Sequence, residues 1–142
     1  MSKSLWIWTG TLAVFLWSCG GGGTSTGHHH DEGRIYISNE IKREGAPDYK
    51  PDIRVKFQEP ETGITYEFTV KHGEQKELNK DGTPLGPLPG GTEVKIWITV
   101  IRLNEPTTEI KVKVDGSLIV HITGETATYV PSKVIYNLEY LN

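Results

Sequence analysis

From Arg34 onward, apolar and polar side chains alternate with a period of two, and this pattern constrains the fold more than any other feature of the sequence. The segments 53–58 and 64–71 each place an apolar side chain at every second position. Such alternation is typical of a strand with one face on a core and the other in water. No segment here has the 3.6-residue period of a helix, so we predict an all-β domain over residues 34–142.

Seven segments carry strand signals and are separated by turn residues. The link from Glu59 to Gly63 contains Pro and Gly, which predicts a hairpin between the strands on either side of it. The seven predicted strands cover residues 35–41, 53–58, 64–71, 92–103, 108–114, 118–123 and 133–141.

The turn at Asp115-Gly116 can be read in two registers. A two-residue turn would place His121 on the apolar face of the hairpin. A three-residue loop over 114–116, with Gly116 at positive φ, pairs Val112 with Leu118 and keeps that face apolar. We therefore predict the three-residue loop.

Strands of this number and spacing predict an antiparallel two-sheet sandwich of immunoglobulin-like architecture. A small closed β-barrel is the alternative. The likeness to immunoglobulin domains is architectural, because their cysteine and tryptophan signature is absent. Residues 34–142 suffice for one domain with a single core and are too few for two.

The first 19 residues have the layout of an exported, lipid-modified chain. Lys3 provides the positive charge that begins a secretory signal, and residues 5–17 form its apolar segment. This segment is shorter than the roughly 20 residues that span a bilayer. Leu16-Trp17-Ser18-Cys19 ends in the single cysteine of the sequence, preceded by a small residue. These four residues resemble the lipobox of bacterial lipoproteins. An uncleaved transmembrane anchor is the alternative.

The lipobox resemblance implies that residues 1–18 are removed as a signal peptide. Cys19 would then carry a diacylglyceryl group and an N-acyl chain such as palmitate, which makes the membrane a partner through the anchor. The resemblance places the protein in the cell envelope. In a Gram-negative cell it implies the outer membrane and a domain in the periplasm, because the inner-membrane retention signal has aspartate where Gly20 stands.

Residues 19–33 are predicted to form a flexible tether, because the segment from Gly20 onward has no apolar side chain. It contains the one cluster of metal-ligand side chains, in the types that suit zinc, nickel or copper. Consecutive residues cannot all face one ion, so we expect a polar spacer that binds metal weakly; metal capture is the alternative. The cluster consists of His28, His29, His30, Asp31 and Glu32.

Charge excludes one class of partner. The sequence has 15 Lys and Arg against 18 Asp and Glu, and removal of residues 1–18 takes away only Lys3. The charges are interspersed without a basic cluster, so nucleic acid is not expected as a partner. A lipidated Cys19 leaves no disulfide, and the domain must be stabilised by its packed core.

Catalytic motifs are absent from the sequence. His72 and His121 have no recognisable catalytic partners, and no serine lies in a nucleophile elbow. Glu59 and Glu61 flank a turn proline, a position typical of solvated carboxylates. We therefore predict that the protein is not an enzyme and has no cofactor beyond its covalent lipid.

Trp97 is the one tryptophan left after signal removal, and its strand is apolar on both faces. Such a strand is either covered twice or exposes a patch that binds a ligand. We expect the proline-rich loop 83–89 to cover the indole; a platform for stacking a sugar is the alternative. The sequence thus predicts a lipid-anchored, non-enzymatic binding or structural module whose partner is an envelope protein or a glycan.

Overall fold

The computed structural model describes residues 31–102, 105–126 and 132–141, and these ranges are all-β without a helix. The predicted all-β fold class is therefore confirmed. The ten strands are β1 (Ile35–Asn39), β2 (Ile53–Gln58), β3 (Thr65–Val70), β4 (Gln75–Glu77), β5 (Asn79–Lys80), β6 (Thr83–Pro84), β7 (Glu93–Val100), β8 (Thr107–Lys113), β9 (Leu118–Glu125) and β10 (Val134–Tyr140).

Two four-stranded sheets form the sandwich. The strand order is β10-β9-β1-β4 in the first sheet and β3-β2-β7-β8 in the second, and β5 and β6 form a separate two-stranded ribbon. All neighbours are antiparallel except β1 and β9, which run parallel. The structure is thus a two-sheet sandwich and not a closed barrel, as predicted.

Alternate residues of each long strand point between the sheets and form one core. In β7 the residues at even positions are buried and those at odd positions face outward. Burying each such aliphatic side chain contributes about 1.5–3 kcal/mol. Fully buried core side chains include Phe57, Ile35, Ile37, Ile41, Ile53, Leu78, Ile96, Ile98, Leu118 and Ile122.

The predicted β2–β3 hairpin is confirmed, with Phe57 opposite Tyr66. Gly63 closes its turn at φ 76° and donates its N–H to the carbonyl of Glu59. The prediction that Glu59 is solvated is wrong, since this residue is only 8% exposed. Its carboxylate accepts hydrogen bonds from Lys80 (3.0 Å) and Thr62 (2.8 Å), which compensate for its burial.

The predicted pairing of Val112 with Leu118 is wrong, because β8 and β9 belong to different sheets. Val112 pairs with Val94 of β7, and Leu118 pairs with Ile35 of β1. Both residues are buried, so the alternation correctly predicted their faces. Gly116 has the expected positive φ of 75°, but its turn carries the chain from one sheet to the other.

Three short strands, β4 to β6, were not predicted. Their segment, 75–84, has Leu78 as its one large apolar side chain and no alternation from which a strand can be recognised. β4 forms through main-chain pairing with β1, in which Ile37 lies opposite Lys76. The predicted strand 92–103 is shorter in the structure and ends at Val100.

The chain enters the sandwich at one end, which we call the tether pole. Gly33 exchanges main-chain hydrogen bonds of 3.1 and 2.8 Å with Leu88, and Gly116 donates to the carbonyl of Asp31. A Cβ on Gly33 would lie 2.0 Å from the carbonyl carbon of Gly116, so only glycine fits here. The parallel strands β1 and β9 both run away from this pole, and the eight residues of β9 place its end, the far pole, roughly 25 Å away.

Candidate functional site

A nearly buried carboxylate, that of Glu125, lies at the far pole where β9 ends. Its side chain is 4% exposed. Arg102 donates to Oε1 from Nε (3.0 Å) and from a terminal nitrogen (2.7 Å), and the Tyr49 hydroxyl donates to Oε2. The Arg43 guanidinium lies 3.7 Å from Oε2. A buried carboxylate needs such donors, because burial otherwise penalises its charge.

The Glu125 cluster joins three connections of the sandwich. Tyr49 and Arg43 belong to the connection between β1 and β2, Arg102 follows β7, and Ser132 precedes β10. Arg102 also lies 3.3 Å from the Ser132 hydroxyl. One carboxylate therefore fixes the relative positions of three surface segments.

Burial and the adjacent Glu125 raise the pKa of Tyr49 to about 12. The phenol is therefore neutral at physiological pH and acts as a hydrogen-bond donor. The hydrogen bonds to Glu125 likewise raise the pKa of the Arg102 guanidinium. Neither group is poised to transfer a proton near neutral pH, so the cluster is suited to holding structure rather than to acid–base catalysis.

A groove lies beside this cluster, on the connection between β1 and β2. Its volume is about 500 Å³ and its walls are largely apolar. The Arg43 guanidinium carbon is 3.6 Å from the centre of the Tyr49 ring and covers one of its faces. The lining residues are Ile41, Lys42, Arg43, Glu44, Ala46, Pro47, Tyr49, Lys50 and His72.

Cationic side chains outnumber carboxylates in the lining of the groove. Lys42 and Lys50 contribute cations, and the Arg43 guanidinium is paired with Glu125, whereas Glu44 is the one carboxylate in the lining. His72 supports the wall, because its Nε2 is 2.9 Å from the carbonyl of Ile41. The groove thus combines an apolar surface with a positive rim, which is complementary to a ligand with apolar and anionic groups.

His121 bridges two carboxylates on the outer face of the first sheet. Its Nδ1 contacts Glu40, and its Nε2 is 2.8 Å from Glu139. The hydrogen bonds with Glu40 and Glu139 raise the pKa of the imidazole. The predicted solvent-side position of His121 is confirmed by its partial exposure, but its partners were not predicted. Because its two nitrogens face different carboxylates, the group links strands rather than surrounding one ion.

Trp97 lies half-buried on the outer face of the second sheet. Its indole N–H donates to Glu109 (3.1 Å), and the ammonium groups of Lys56 and Lys95 lie 5.2 and 5.9 Å from the ring. The side chains described around the indole thus belong to its own sheet.

The proline-rich loop takes a different path. Leu88 bonds to Gly33, the amide of Leu85 donates to Leu78, and both leucines pack against the core. The hydrogen bonds of the loop thus run to Gly33 and Leu78, whereas that of the indole runs to Glu109, and cover of Trp97 by the loop stays a prediction.

Cys19, His28, His29 and His30 lie outside the described residues. Asp31 and Glu32 are both exposed, and the amide of Asp31 donates to Asp115. Within the described part of the chain, no group of three or more His, Cys, Asp or Glu could hold a metal ion. In the same part, no helix is long and apolar enough to cross a membrane.

Comparisons of the chain with protein-family models, curated proteins and solved structures find no match. The chemistry of the far pole is therefore inferred from its own side chains.

The Glu125 cluster was not identified from the sequence. Tyr49 and Arg102 are separated from Glu125 by 76 and 23 positions, so no local motif unites them. The signal that the sequence does contain is a carboxylate at an outward position where an apolar strand ends. That signal does not distinguish a solvated glutamate from one enclosed by connections from elsewhere in the chain.

Proposed function

We propose that this protein is a lipid-anchored envelope lipoprotein whose β-sandwich is a non-enzymatic binding module, and that the far-pole groove is its binding surface. The observation that carries this proposal is the opposition of the two poles. The chain enters beside Leu88 and Gly116, whereas the groove and the Glu125 cluster lie at the other end of β1 and β9. A tethered domain so arranged holds its groove away from the attachment of its tether.

The anchor is supported by the lipobox-like residues 16–19 and by the polar segment that follows them. Two acyl chains bind a membrane stably, because each buried methylene contributes about 0.8 kcal/mol. A tether of this length has a root-mean-square reach of roughly 20 Å, which keeps the domain near the membrane without docking it there.

The ligand class follows from the groove. Ala46 and Pro47 offer apolar contact, and Lys42 and Lys50 at the rim favour an anion. We propose an acidic segment of an envelope protein, with an apolar side chain next to its carboxylates. The Glu125 cluster supports binding indirectly by fixing the connection that forms the groove.

The experiment measures binding of short synthetic peptides that pair one apolar residue with acidic, neutral or basic neighbours. The wild type should prefer the acidic set, with a preference that weakens as salt increases, because exposed charge pairs are screened. Lys42→Glu with Lys50→Glu should abolish the preference.

The matched control is Lys56→Glu with Lys95→Glu, which makes the same charge change beside Trp97, on the outer face of the second sheet. This variant should bind like the wild type. Equal losses in both double variants would indicate a nonspecific charge effect and would contradict the assignment of the groove.

A further inference from the structure

Exposed apolar side chains concentrate on the edge strand β10. Among the described residues, the large hydrophobic side chains with high exposure are Ile64 and four neighbours on or next to β10. β10 is the outermost strand of the first sheet. Those four residues are Ile135 (48%), Tyr136 (38%), Tyr140 (43%) and Leu141 (47%).

The other sheet edges differ from β10 in ways that discourage pairing with another chain. β8 presents Glu109, Lys111 and Lys113 on its outward face, and β4 has only three residues. On the edge strand β3, the carbonyl of Thr69 already accepts a hydrogen bond from the Lys76 ammonium. Charged, short or covered edges are the usual protection against strand pairing. In the stretch Tyr136 to Tyr140 of β10, Glu139 is the one charged residue.

Among the described residues, no strand pairs with the outer side of the β10 main chain, and the register of that side can be defined. The amide of Leu141 donates to the carbonyl of Ser117, on the β9 side. Hydrogen-bonded pairs alternate along an antiparallel ladder, so Asn137 and Glu139 also turn their main chain toward β9. The intervening residues therefore direct their N–H and C=O groups to the open edge. A bulge lies between residues 135 and 136, and the ladder is regular from 136 to 140.

The sequence of this edge is a chemical palindrome around Leu138. Residues 135–141 read Ile-Tyr-Asn-Leu-Glu-Tyr-Leu, so each residue has one of similar polarity at the same distance on the other side of the centre. In an antiparallel pair of two such strands centred on Leu138, Tyr136 faces Tyr140 of the second copy. Asn137 then faces Glu139 of the second copy, an amide opposite a carboxylate, and Ile135 faces Leu141.

We propose that β10 is a self-association edge, on which a second copy of this chain pairs antiparallel with Leu138 at the two-fold axis. The pair joins the first sheets of two sandwiches into one continuous sheet. Its central Leu138 pair and the two Tyr136–Tyr140 pairs would each exchange two main-chain hydrogen bonds, since these residues face the open edge. Such an interface is isologous and closes on itself as a dimer.

The two-fold axis reverses the strands, so the two tether poles lie at opposite ends of the joined sheet. Both anchors can reach one membrane when the strands lie along its surface, because the predicted tether reaches roughly 20 Å. Confinement to a membrane also raises the local concentration of each copy, which favours pairing through a modest interface.

The first experiment is sedimentation of the full-length lipoprotein in detergent at concentrations up to about 100 µM. This concentration would populate a dimer whose dissociation constant is about micromolar. The wild type should form a dimer. Tyr136→Lys with Tyr140→Lys sets like charges opposite each other in the pair and should be monomeric. Tyr136→Lys with Tyr140→Glu loses the same aromatic groups but sets opposite charges together, and should retain dimer. Ile64→Lys, an exposed position away from β10, should leave the dimer unchanged.

The second experiment tests the register by cysteine cross-linking in membranes oxidised with copper phenanthroline. In the proposed pair, residues 137 and 139 of opposite copies form a non-hydrogen-bonded pair with Cα atoms about 4.5 Å apart. Asn137→Cys co-expressed with Glu139→Cys should therefore form a mixed disulfide. Either variant alone should not, because residue 137 and its own copy would be about 8 Å apart, beyond disulfide reach.

The two experiments have outcomes that decide the proposal. A monomeric wild type at the highest concentration would overturn it. Equal association of the Lys/Lys and Lys/Glu variants, or cross-linking of Asn137→Cys alone as strongly as the mixture, would show a different interface and would overturn it too. Far-UV circular dichroism of each variant confirms that the sandwich has formed, so a loss of dimer can be separated from a loss of fold.

Discussion

Arg102 donates two hydrogen bonds, of 3.0 and 2.7 Å, to one oxygen of the Glu125 carboxylate. The two side chains are 16% and 4% exposed, respectively. Removing one partner of a buried ion pair leaves the other charge without compensation, and typically costs about 3–5 kcal/mol. This pair should therefore dominate the stability of the far pole.

We predict that Glu125→Gln destabilises the domain by about 3 kcal/mol, because Arg102 and Arg43 lose their buried carboxylate. For a domain of this size the melting temperature should fall by about 10 °C. The matched control is Glu105→Gln, which removes the exposed ion pair with Arg54 and should cost no more than about 1 kcal/mol. Thermal denaturation of both variants measures the difference, and equal effects would contradict the structural role of Glu125.

A second prediction concerns pH and the His121 bridge. Hydrogen bonds with Glu40 and Glu139 raise the pKa of His121 above its ordinary 6.5, so its stabilisation is complete below that pH and is lost as pH rises through the raised pKa. Hydrogen bonds from His121 and Ser38 lower the pKa of Glu40 below 4.5, so its contribution is lost as pH falls through the lowered pKa. The bridge should be strongest between about pH 4.5 and 6.5.

His121→Gln should therefore cost most in that window, by about 1 kcal/mol, since Glu40 and Glu139 are 41% and 55% exposed. The difference from the wild type should shrink as pH rises above 6.5. Urea denaturation at several pH values measures it. His72→Gln is the control, because the His72 ring bonds to a main-chain carbonyl and not to a carboxylate. A difference for His121→Gln that does not change with pH would contradict the ionic bridge.

Local patterns in this sequence predict strands well and their partners poorly. The β2–β3 hairpin was predicted because its turn, closed by Gly63, lies in the sequence between the two paired strands. Val112 and Leu118 have the correct buried faces, but alternation does not specify which sheet a strand joins. The choice depends on β1, which takes the place beside β9 from a distant part of the chain.

The candidate site was harder to predict for the same reason. Glu125 ends an apolar strand and has no sequence neighbour that marks it as buried. Its donors come from separate connections that meet only when both sheets have formed. The outward position of Trp97 follows from the alternation along its strand, but its lysine neighbours depend on strand register. Lys56 is directly opposite the indole because β2 pairs with β7.

The lipobox resemblance predicts that Cys19 is acylated. In a bacterial host the wild type should incorporate labelled palmitate and partition into detergent, because two acyl chains hold a protein firmly in a membrane. Cys19→Ala should do neither, and Ser18→Ala, which keeps a small residue before the cysteine, should behave like the wild type. Label on the Cys19→Ala variant would place the lipid elsewhere and exclude this anchor.

The histidine run should bind metal weakly, because glycine-rich surroundings do not preorganise ligands. Calorimetric titration with zinc, nickel and copper should give affinities no tighter than about micromolar. Replacement of His28, His29 and His30 by alanine should remove even that binding. A nanomolar affinity lost in the triple variant would favour metal capture as the function.

Trp97 provides a spectroscopic test of the outer face of the second sheet. In a chain without residues 1–18 it is the one tryptophan, so its fluorescence reports one site. The indole is half-buried, with Lys56 and Lys95 near its ring. We expect quenching by iodide to exceed quenching by caesium, because the two nearby ammonium groups outnumber the single Glu109 carboxylate at the indole, and the difference should diminish with added salt.

Two variants complete this test. Lys56→Gln with Lys95→Gln leaves the Glu109 carboxylate as the remaining charge beside the indole, and should remove the preference for iodide. Trp97→Ala should cost less than the 3–5 kcal/mol typical of a buried aromatic, since the ring retains contact with water. A blue-shifted emission that neither ion quenches, together with a cost in that full range, would show that the loop 83–89 covers the indole after all. An emission change on adding oligosaccharide would instead identify the ring as a sugar platform.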